Sequence, residues 1–452
     1  MVALPSSLSI AVIGAGAGGL TAARSFLKRG VKNLTIFESS SHIGGVWKYS
    51  QDPTRPMYRN LQTNLPKEIM GFREYPFVNV SGADSNDDSY VTHEQVFDYL
   101  VDYTDHFGLT KYIRFNSPVK KICYDSSDDS SDDSSRKFKI FVSSCSEPET
   151  FDAVVVANGH YSKPNFPTMK NLDLFTGRTM HSVEYDDPDI FSDESKCILC
   201  IGGKASGTDI AKEISRVIPS NSKVFLSMGG GDKSNSTEAP NIVTLPKTVG
   251  ISDDGKEFVF ERGNGSDDGN KLAVSDVSTV IFCTGFLMDF PFLDSSDFGE
   301  IVFKERRRMS PLYKQLFYAR DPRISFVGIP HSVVPFPFME GQSECIAETI
   351  FSDLLPDLEG RIKSAKVDFE SGGSRGGRVE DTHYLGSAQF DYLRDIAVLS
   401  STHSDKNEKF LLAQEAIYED AHQSRMSCVV GNDSYRKDRY LRDHETHLWK
   451  KC

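Results

Sequence analysis

The opening forty residues constrain this chain more than any other stretch. Ser9-Ile10-Ala11-Val12-Ile13 is an apolar, β-branched run of the kind buried in a parallel sheet. Gly14-Ala15-Gly16-Ala17-Gly18-Gly19 follows at once in the spacing GxGxxG, and Leu20 to Arg29 has helical composition closed by Gly30. A second strand, Leu34-Thr35-Ile36-Phe37, ends at Glu38. In that spacing Gly14 permits the tight turn, Gly16 lets backbone approach a pyrophosphate, and Gly19 lets helix and strand pack closely. The diphosphate meets the N–H groups and dipole of the helix N-terminus, and an acid about twenty residues on accepts from ribose hydroxyls. The stretch is therefore expected to bind a dinucleotide through Gly14, Gly16, Gly19 and Glu38.

The pattern recurs with one change. Cys197-Ile198-Leu199-Cys200-Ile201 reads as a strand, Gly202-Gly203-Lys204-Ala205-Ser206-Gly207 as the turn, Thr208 to Val217 as the helix and Lys223 to Leu226 as the next strand. Lys204 stands where the middle glycine would be. Its side chain either crowds a diphosphate or brings its ammonium to a phosphate. No acid closes the following strand, where Ser227-Met228-Gly229 is found, which permits a 2′-phosphate without demanding one. The CxxC of Cys197 and Cys200 falls within a buried strand, so both read as small core residues rather than a redox pair.

At 452 residues the chain exceeds one ordinary core. The net charge of -13 argues against nucleic acid and against an anionic membrane surface. No stretch approaches the roughly 20 apolar residues of a spanning helix. The apolar run at Ile10 is expected to be the first strand rather than a signal peptide, and eight scattered cysteines fit the expectation of reduced thiols in the cytoplasm. The glycosylation patterns at Asn79, Asn235 and Asn264 are then expected to be unused, and the Ser/Asp-rich run 125–135 to be a solvated hairpin tip.

Between these landmarks, Met57 to Phe77 lacks clear periodicity and reads as a connecting loop, with a site wall as the other reading. Trp47, one of two tryptophans, reads equally as a cover for a flat ring or as core. Thr92 with Gln95 caps a helix to about Phe107, and strands are expected at Val119–Tyr124, Phe138–Val142 and Phe151–Ala157. Pro164 and Pro167 mark an extended linker. Further strands are expected at Val280–Phe286 and Arg323–Pro330, and helices at Pro335–Phe351, Ser387–Leu399 and Glu408–His422. Arg436 to Lys451 is expected to wrap the surface.

With two such units in one chain, the sequence resembles the flavin-containing monooxygenase family. Phe175-Thr176-Gly177-Arg178-Thr179-Met180-His181-Ser182-Val183-Glu184-Tyr185 matches its pattern FxGxxxHxxxY/F, and Gly45-Val46-Trp47 its GGxW with Gly44. Thr63-Asn64-Leu65-Pro66-Lys67 is similar to the segment carrying its active-site asparagine, and Phe282-Cys283-Thr284-Gly285-Phe286 to its ATGY-like strand end. The fungal and insect members are the expected neighbours.

The resemblance implies an α/β protein with two Rossmann-like, three-layer dinucleotide-binding domains. The NADP domain (169–282) is inserted in an FAD domain formed by 1–168 and 283–452 with its C-terminal helices. NADPH is implied to reduce FAD, and a C4a-hydroperoxyflavin to oxygenate an amine, thiol or sulfide. Asn64 is the implied catalytic residue. Leu61, Thr63, Asn64, Val119, Thr284, Gly285 and Gln342 join Gly14, Gly16, Gly19, Glu38, Gly45, Val46 and Trp47 on FAD. Tyr161, Gly202, Lys204, Ser206 and Gly207 are assigned to NADP. His181 is expected to shape the link between domains.

Lys204, and the lack of an arginine near Ser227, leave NADH open beside NADPH. No metal is implied. Molecular oxygen and a small soft nucleophile are the expected partners, and a homodimer is left open. A Baeyer–Villiger monooxygenase would usually carry Trp near Tyr185. A disulfide reductase would need a cysteine pair between Gly44 and Phe77, where there is none. A flavin-binding sensor is the remaining alternative.

Overall fold

In the computed structural model the first strand lies inside its sheet, with a parallel neighbour on each side. The structure describes residues 7–52, 54–77, 88–125, 136–229, 241–261, 272–299, 301, 307–371 and 381–452. The Ser/Asp run beyond Asp125 and the three glycosylation patterns lie outside these residues.

Strand β1 (Ser9–Ile13) is followed by helix α1 (Ala17–Lys28) and strand β2 (Asn33–Phe37). β1 pairs in parallel with β2 on one side and with β3 (Ala153–Val156) on the other. The full order across this seven-stranded sheet is Leu312–Tyr313, Phe317–Tyr318, Ile324–Phe326, β3, β1, β2, Ile113–Arg114. Alternate side chains of β1 enter two separate cores, as the two-residue period of a strand requires. Ile10 and Val12 pack with Leu20 and Phe26 of α1. Ala11 and Ile13 pack with Phe138, Ile140 and Phe151 of a three-stranded antiparallel sheet. Helix, sheet and sheet thus form three layers.

The second unit repeats this construction. Strand β4 (Cys197–Ile201), helix α2 (Ala205–Val217) and strand β5 (Val224–Ser227) lead to β6 (Val277–Phe282). The parallel order is Ile242–Leu245, β5, β4, β6, Arg178–His181. Ile198 and Cys200 face Ile210 and Ile214 of α2, while Leu199 and Ile201 face Phe258 and Phe260 of an antiparallel sheet. Cys197 and Cys200, three apart on a strand, point to opposite faces and cannot pair, and all eight cysteines are free.

The two units are joined at crossings that lie side by side. Lys163–Pro164 pairs antiparallel with Phe286–Leu287. Asn165 N–H donates to Gly285 O (3.0 Å), and its Nδ2 donates to Thr284 O (3.1 Å). This pairing is why β6 stops at Phe282 rather than running to Phe286. Gly285, at φ +76°, turns the chain out of the sheet. Both nucleotide-loop helices begin a turn earlier than their composition suggests, because Gly18-Gly19 and Ser206-Gly207 are first-turn residues.

Two C-terminal elements also differ from expectation. The last long helix spans Asp405–Ser427. The tail is not a surface wrap: Tyr435 is 7% and Tyr440 0% exposed, in a core with Ile69, Tyr90 and Ile417. Polarity alone hides this, because the hairpin Tyr440–Arg442/Trp449–Lys451 buries one face only. Arg442 is buried with it, donating to Glu68 O and Phe410 O. Replacing Tyr440 by Ala should therefore cost about 3–5 kcal/mol, the range for deleting a large buried aromatic. Chemical denaturation measures it, and a surface tail would show almost no change.

Candidate functional site

Each sheet has its crevice at the carboxyl end of the strand where the strand order switches, β1 in the first and β4 in the second, the usual ligand position in an open α/β sheet. In the first, Gly14 has φ +103°, and a Cβ there would stand 2.7 Å from Ala157 O. A Cβ on Gly19 would meet Gly14 O at 1.8 Å, so the turn tolerates no side chain at that position. In the second, Gly202 has φ +121° and its Cβ would stand 2.2 Å from Cys283 O; a Cβ on Gly207 would meet Gly202 O at 1.7 Å. These are the same contacts made twice.

Gly16 and Lys204 occupy equivalent places, each the residue before its helix, with φ/ψ of -75°/-177° and -83°/-174°. That conformation is extended, so a lysine fits the backbone without strain. Lys204 and Ser206 are exposed at the mouth, and Gly207 is buried beneath them. Neither helix has a side chain capping its first turn or an acid within it. The unpartnered N–H groups and positive dipole end of each therefore fit a diphosphate.

Glu38 sits at the rim of the first crevice, 7% exposed. Its Oε2 accepts from Ala15 N–H (2.8 Å), and Oε1 from Ser40 N–H (2.8 Å) and Oγ (2.7 Å). The carboxylate is locked by the glycine turn it faces, with lone pairs left for ribose hydroxyls. Gly45-Val46-Trp47 is a 3₁₀ turn tied to the same loop by Gly44 N–H donating to Ala15 O (3.0 Å). Gly45 and Gly16 meet backbone to backbone: a Cβ on Gly16 would lie 3.6 Å from Gly45 Cα. Trp47 packs edge-on to Phe336 and stays partly exposed, a rim tryptophan resting on the core. Val119 begins a strand just beyond Ser117, whose N–H donates to Glu38 O.

The stretch Met57 to Phe77 does wall a cavity. A space of about 510 Å³ opens between Tyr58–Gln62 and the outer face of α2, bordered also by Asp433 and Arg436. Leu61 lines it. Thr63 is buried, its N–H donating to Val91 O (2.9 Å) and its Oγ1 accepting from Val91 N–H (3.1 Å). Asn64 next to it is half-buried, and its side-chain amide has no hydrogen-bond partner among the described residues.

Thr284, Gly285 and Tyr161 lie at the crossings. Tyr161 is 45% exposed beside Phe286. Gln342 is placed differently from the others: it is fully buried, accepting from Gly328 N–H (2.8 Å) and donating to Tyr392 Oη (2.9 Å). Its amide is committed to the turn at Gly328. That turn borders the first turn of α1, since a Cβ on Gly18 would stand 3.2 Å from Val327 Cγ1.

His181 is fully buried. Its Nδ1 accepts from Val183 N–H (3.2 Å), so Nε2 carries the proton and donates to Gly285 O (2.9 Å). Burial pulls its pKa down, which keeps it neutral; Nε2 ties it to the crossing and Nδ1 to its own turn. Tyr185, which closes the same motif, donates to Glu213 of α2 (2.6 Å). Burial, aided by that carboxylate, holds its pKa well up. These bonds, and those of Asn165, leave no periodic trace in the sequence.

The comparisons agree with this geometry. Residues 7–236 match the FMO-like, flavin-binding monooxygenase-like family. "Flavin-containing monooxygenase FMO GS-OX-like 4" of Arabidopsis thaliana is 33% identical over 408 residues, covering 85% of each chain. "Flavin-containing monooxygenase FMO GS-OX4" of the same plant is 31% identical over 419 residues, covering 87% of this chain and 85% of its own. These relatives are from a plant, rather than the fungal and insect sources expected from sequence.

Among solved structures, S-allyl-L-cysteine S-oxygenase from Allium sativum superposes with a TM-score of 0.79 at 29% identity, covering 95% of both chains. Cyclohexanone monooxygenase, at 14% identity and a TM-score of 0.57, shares the fold alone. No helix among the described residues is long and apolar enough to cross a membrane.

The glycine contacts yield a paired prediction. Gly19→Ala should abolish retention of the yellow cofactor on purification. Gly207→Ala should keep that colour but raise KM for NADPH about tenfold or more, equivalent to about 1.4 kcal/mol. Flavin absorbance and steady-state kinetics separate the two. The chain belongs to the flavin-containing monooxygenase family, oxidoreductases that work with FAD and NADPH.

Proposed function

We propose that the protein oxygenates the nitrogen or sulfur of small soft nucleophiles, with FAD in the first crevice and NADPH in the second. We assign FAD to 1–168 with 283–452, NADPH to 169–282, and the protein to the cytoplasm. The observation that carries this is the repeated glycine turn, with Gly14/Gly19 and Gly202/Gly207 making the same close contacts. The flavin supplies activated oxygen when bound, and the chain binds, orients and shields.

In this reading Gly14, Gly16 and α1 hold one diphosphate, Glu38 orients its ribose, and Gly45-Val46-Trp47 closes the rim. Lys204 substitutes charge for space, its ammonium reaching a phosphate of the second nucleotide. Ser227 cannot do this, since its buried Oγ accepts from Thr248 N–H (2.9 Å) and donates to Pro246 O (3.0 Å). Asn64 donates from its amide, which has no partner among the described residues, toward the reacting end of the cofactors, where a fixed donor in a water-poor space stabilises developing charge. The unbroken Tyr185–Glu213 bond favours this reading over ketone oxidation, for which a tryptophan was expected near that position.

Product formed per NADPH consumed, over a panel of amines, thiols and sulfides, tests the proposal. Coupled oxygenation of at least one member is expected, and esters from ketones alone would overturn it. Asn64→Asp should lower product and raise hydrogen peroxide per NADPH; a wild-type ratio defeats its role. Lys204→Ala should raise KM for NADPH about tenfold, the scale of one lost charge-assisted hydrogen bond. A lower KM would show that the lysine crowds the site.

A further inference from the structure

Two short segments far apart in sequence carry the same local pattern. On α2, Asp209 and Lys212 are three apart on the face toward the cavity; on the 3₁₀ turn near the C-terminus, Asp433 and Arg436 are also three apart. Residues three apart share a helix face. The two segments meet so that each acid finds the other's base. Arg436 Nη2 donates to Asp209 Oδ2 (2.9 Å) and Nη1 to Asp209 Oδ1 (3.4 Å), while Lys212 pairs with Asp433. Asp433 also lies 3.8 Å from Arg436, which makes a chain of alternating charge.

The third donor of Arg436 reaches elsewhere. Its Nε donates to Thr63 O (3.1 Å), the carbonyl just before Asn64. One guanidinium therefore ties the helix that opens at the second nucleotide loop to the backbone beside the candidate catalytic asparagine. Its side chain is 10% exposed and that of Lys212 7%, while their acids Asp209 and Asp433 are 23% and 35% exposed, so solvent screens this network only in part. The turn is anchored from behind by Tyr435, which is buried edge-on against Tyr90. Alongside, the cavity of about 510 Å³ opens between Tyr58–Gln62 and the outer face of α2, while Tyr58 and Leu61 pack with Ile210 and Ile214 beneath it. Arg59 also reaches out of this segment, to Asp186 and Asp187, but its side chain is 51% exposed. An exposed pair of that kind is weak.

We propose that Arg436 is a positioning residue for the monooxygenase reaction: it sets the nicotinamide-side helix α2 in register with the Asn64 segment. Without it the two nucleotide units stay folded but meet loosely, and activated oxygen is lost as hydrogen peroxide. Lysine cannot replace it fully, because only the planar fork grips both oxygens of Asp209 while Nε holds Thr63 O. The inference rests on the function proposed above.

The test compares Arg436→Gln, Asp209→Asn and the double variant in the FAD-loaded protein. Each is read by peroxide per NADPH consumed, by NADP⁺ affinity, and by hydrogen–deuterium exchange of residues 61–66 and 205–217. Arg436→Gln should raise the peroxide share several-fold and speed exchange in both segments together. The double variant should be little worse than Arg436→Gln alone, since both remove one interaction. Exchange that changes only around residues 428–440, with an unchanged peroxide share, would overturn the inference and leave Arg436 a stabilising residue of the tail. Should Arg436→Gln fail to fold, Asp209→Asn, which leaves the Thr63 bond, must still loosen 205–217 and raise peroxide; if it does neither, the inference fails. A wild-type protein that oxygenates nothing defeats the functional reading instead, whereas a coupled wild type beside a coupled Arg436→Gln defeats only this one.

Discussion

A helix that starts directly off a buried parallel strand must bring its first turn against the strand's last carbonyl. Here that contact is made twice, by Gly19 on Gly14 O and by Gly207 on Gly202 O, at separations no Cβ could occupy. The rest of the site depends on it. The closeness aims uncapped N–H groups at the crevice, fixes the sheet order on either side, and brings the neighbouring strand's end, at Ala157 or Cys283, against the same turn. Backbone donors aimed in this way need no side chain to hold a diphosphate, and sequence can drift elsewhere without losing the function.

What distinguishes the two units is what surrounds that shared turn. The first has a glycine at the mouth, an acid locked beside it and a glycine-tryptophan rim. The second has a lysine at the mouth, no acid after the next strand, and a serine there already bonded into its own sheet. One arrangement suits a cofactor held permanently; the other suits one that arrives, reacts and leaves. Between them run the paired crossings of Lys163–Pro164 and Phe286–Leu287, with neutral His181 bonded to Gly285 O. A histidine in a family motif invites a catalytic reading. Its full burial and its two backbone bonds instead make it a fastener of the joint.

The sequence disclosed the parts governed by local rules. Strand, glycine turn and helix were legible because backbone sterics dictate glycine at fixed spacing, and the cap at Thr92 because it satisfies helix N–H groups within four residues. The two-unit architecture was legible because the pattern repeats. What stayed hidden was non-local. Gln342 is expected on the cofactor from the family resemblance, and its bonds to Gly328 N–H and Tyr392 Oη are a feature that only the fold reveals. The tail read as polar surface because a hairpin with one buried face, carrying Tyr440 and Arg442, averages to polar. The Asp209–Arg436–Asp433–Lys212 chain joins segments more than two hundred residues apart; its only trace is a three-residue spacing too common to be a signal.

Function in this fold requires that the second crevice deliver reducing equivalents to a cofactor in the first. Mixing the FAD-loaded protein with one equivalent of NADPH in the absence of oxygen, and following the flavin absorbance, tests this without reference to any substrate. Loss of the yellow colour in step with NADPH consumption is the predicted result. A flavin that stays oxidised beside unconsumed NADPH would contradict it, and would make the second turn a structural copy without a cofactor to serve.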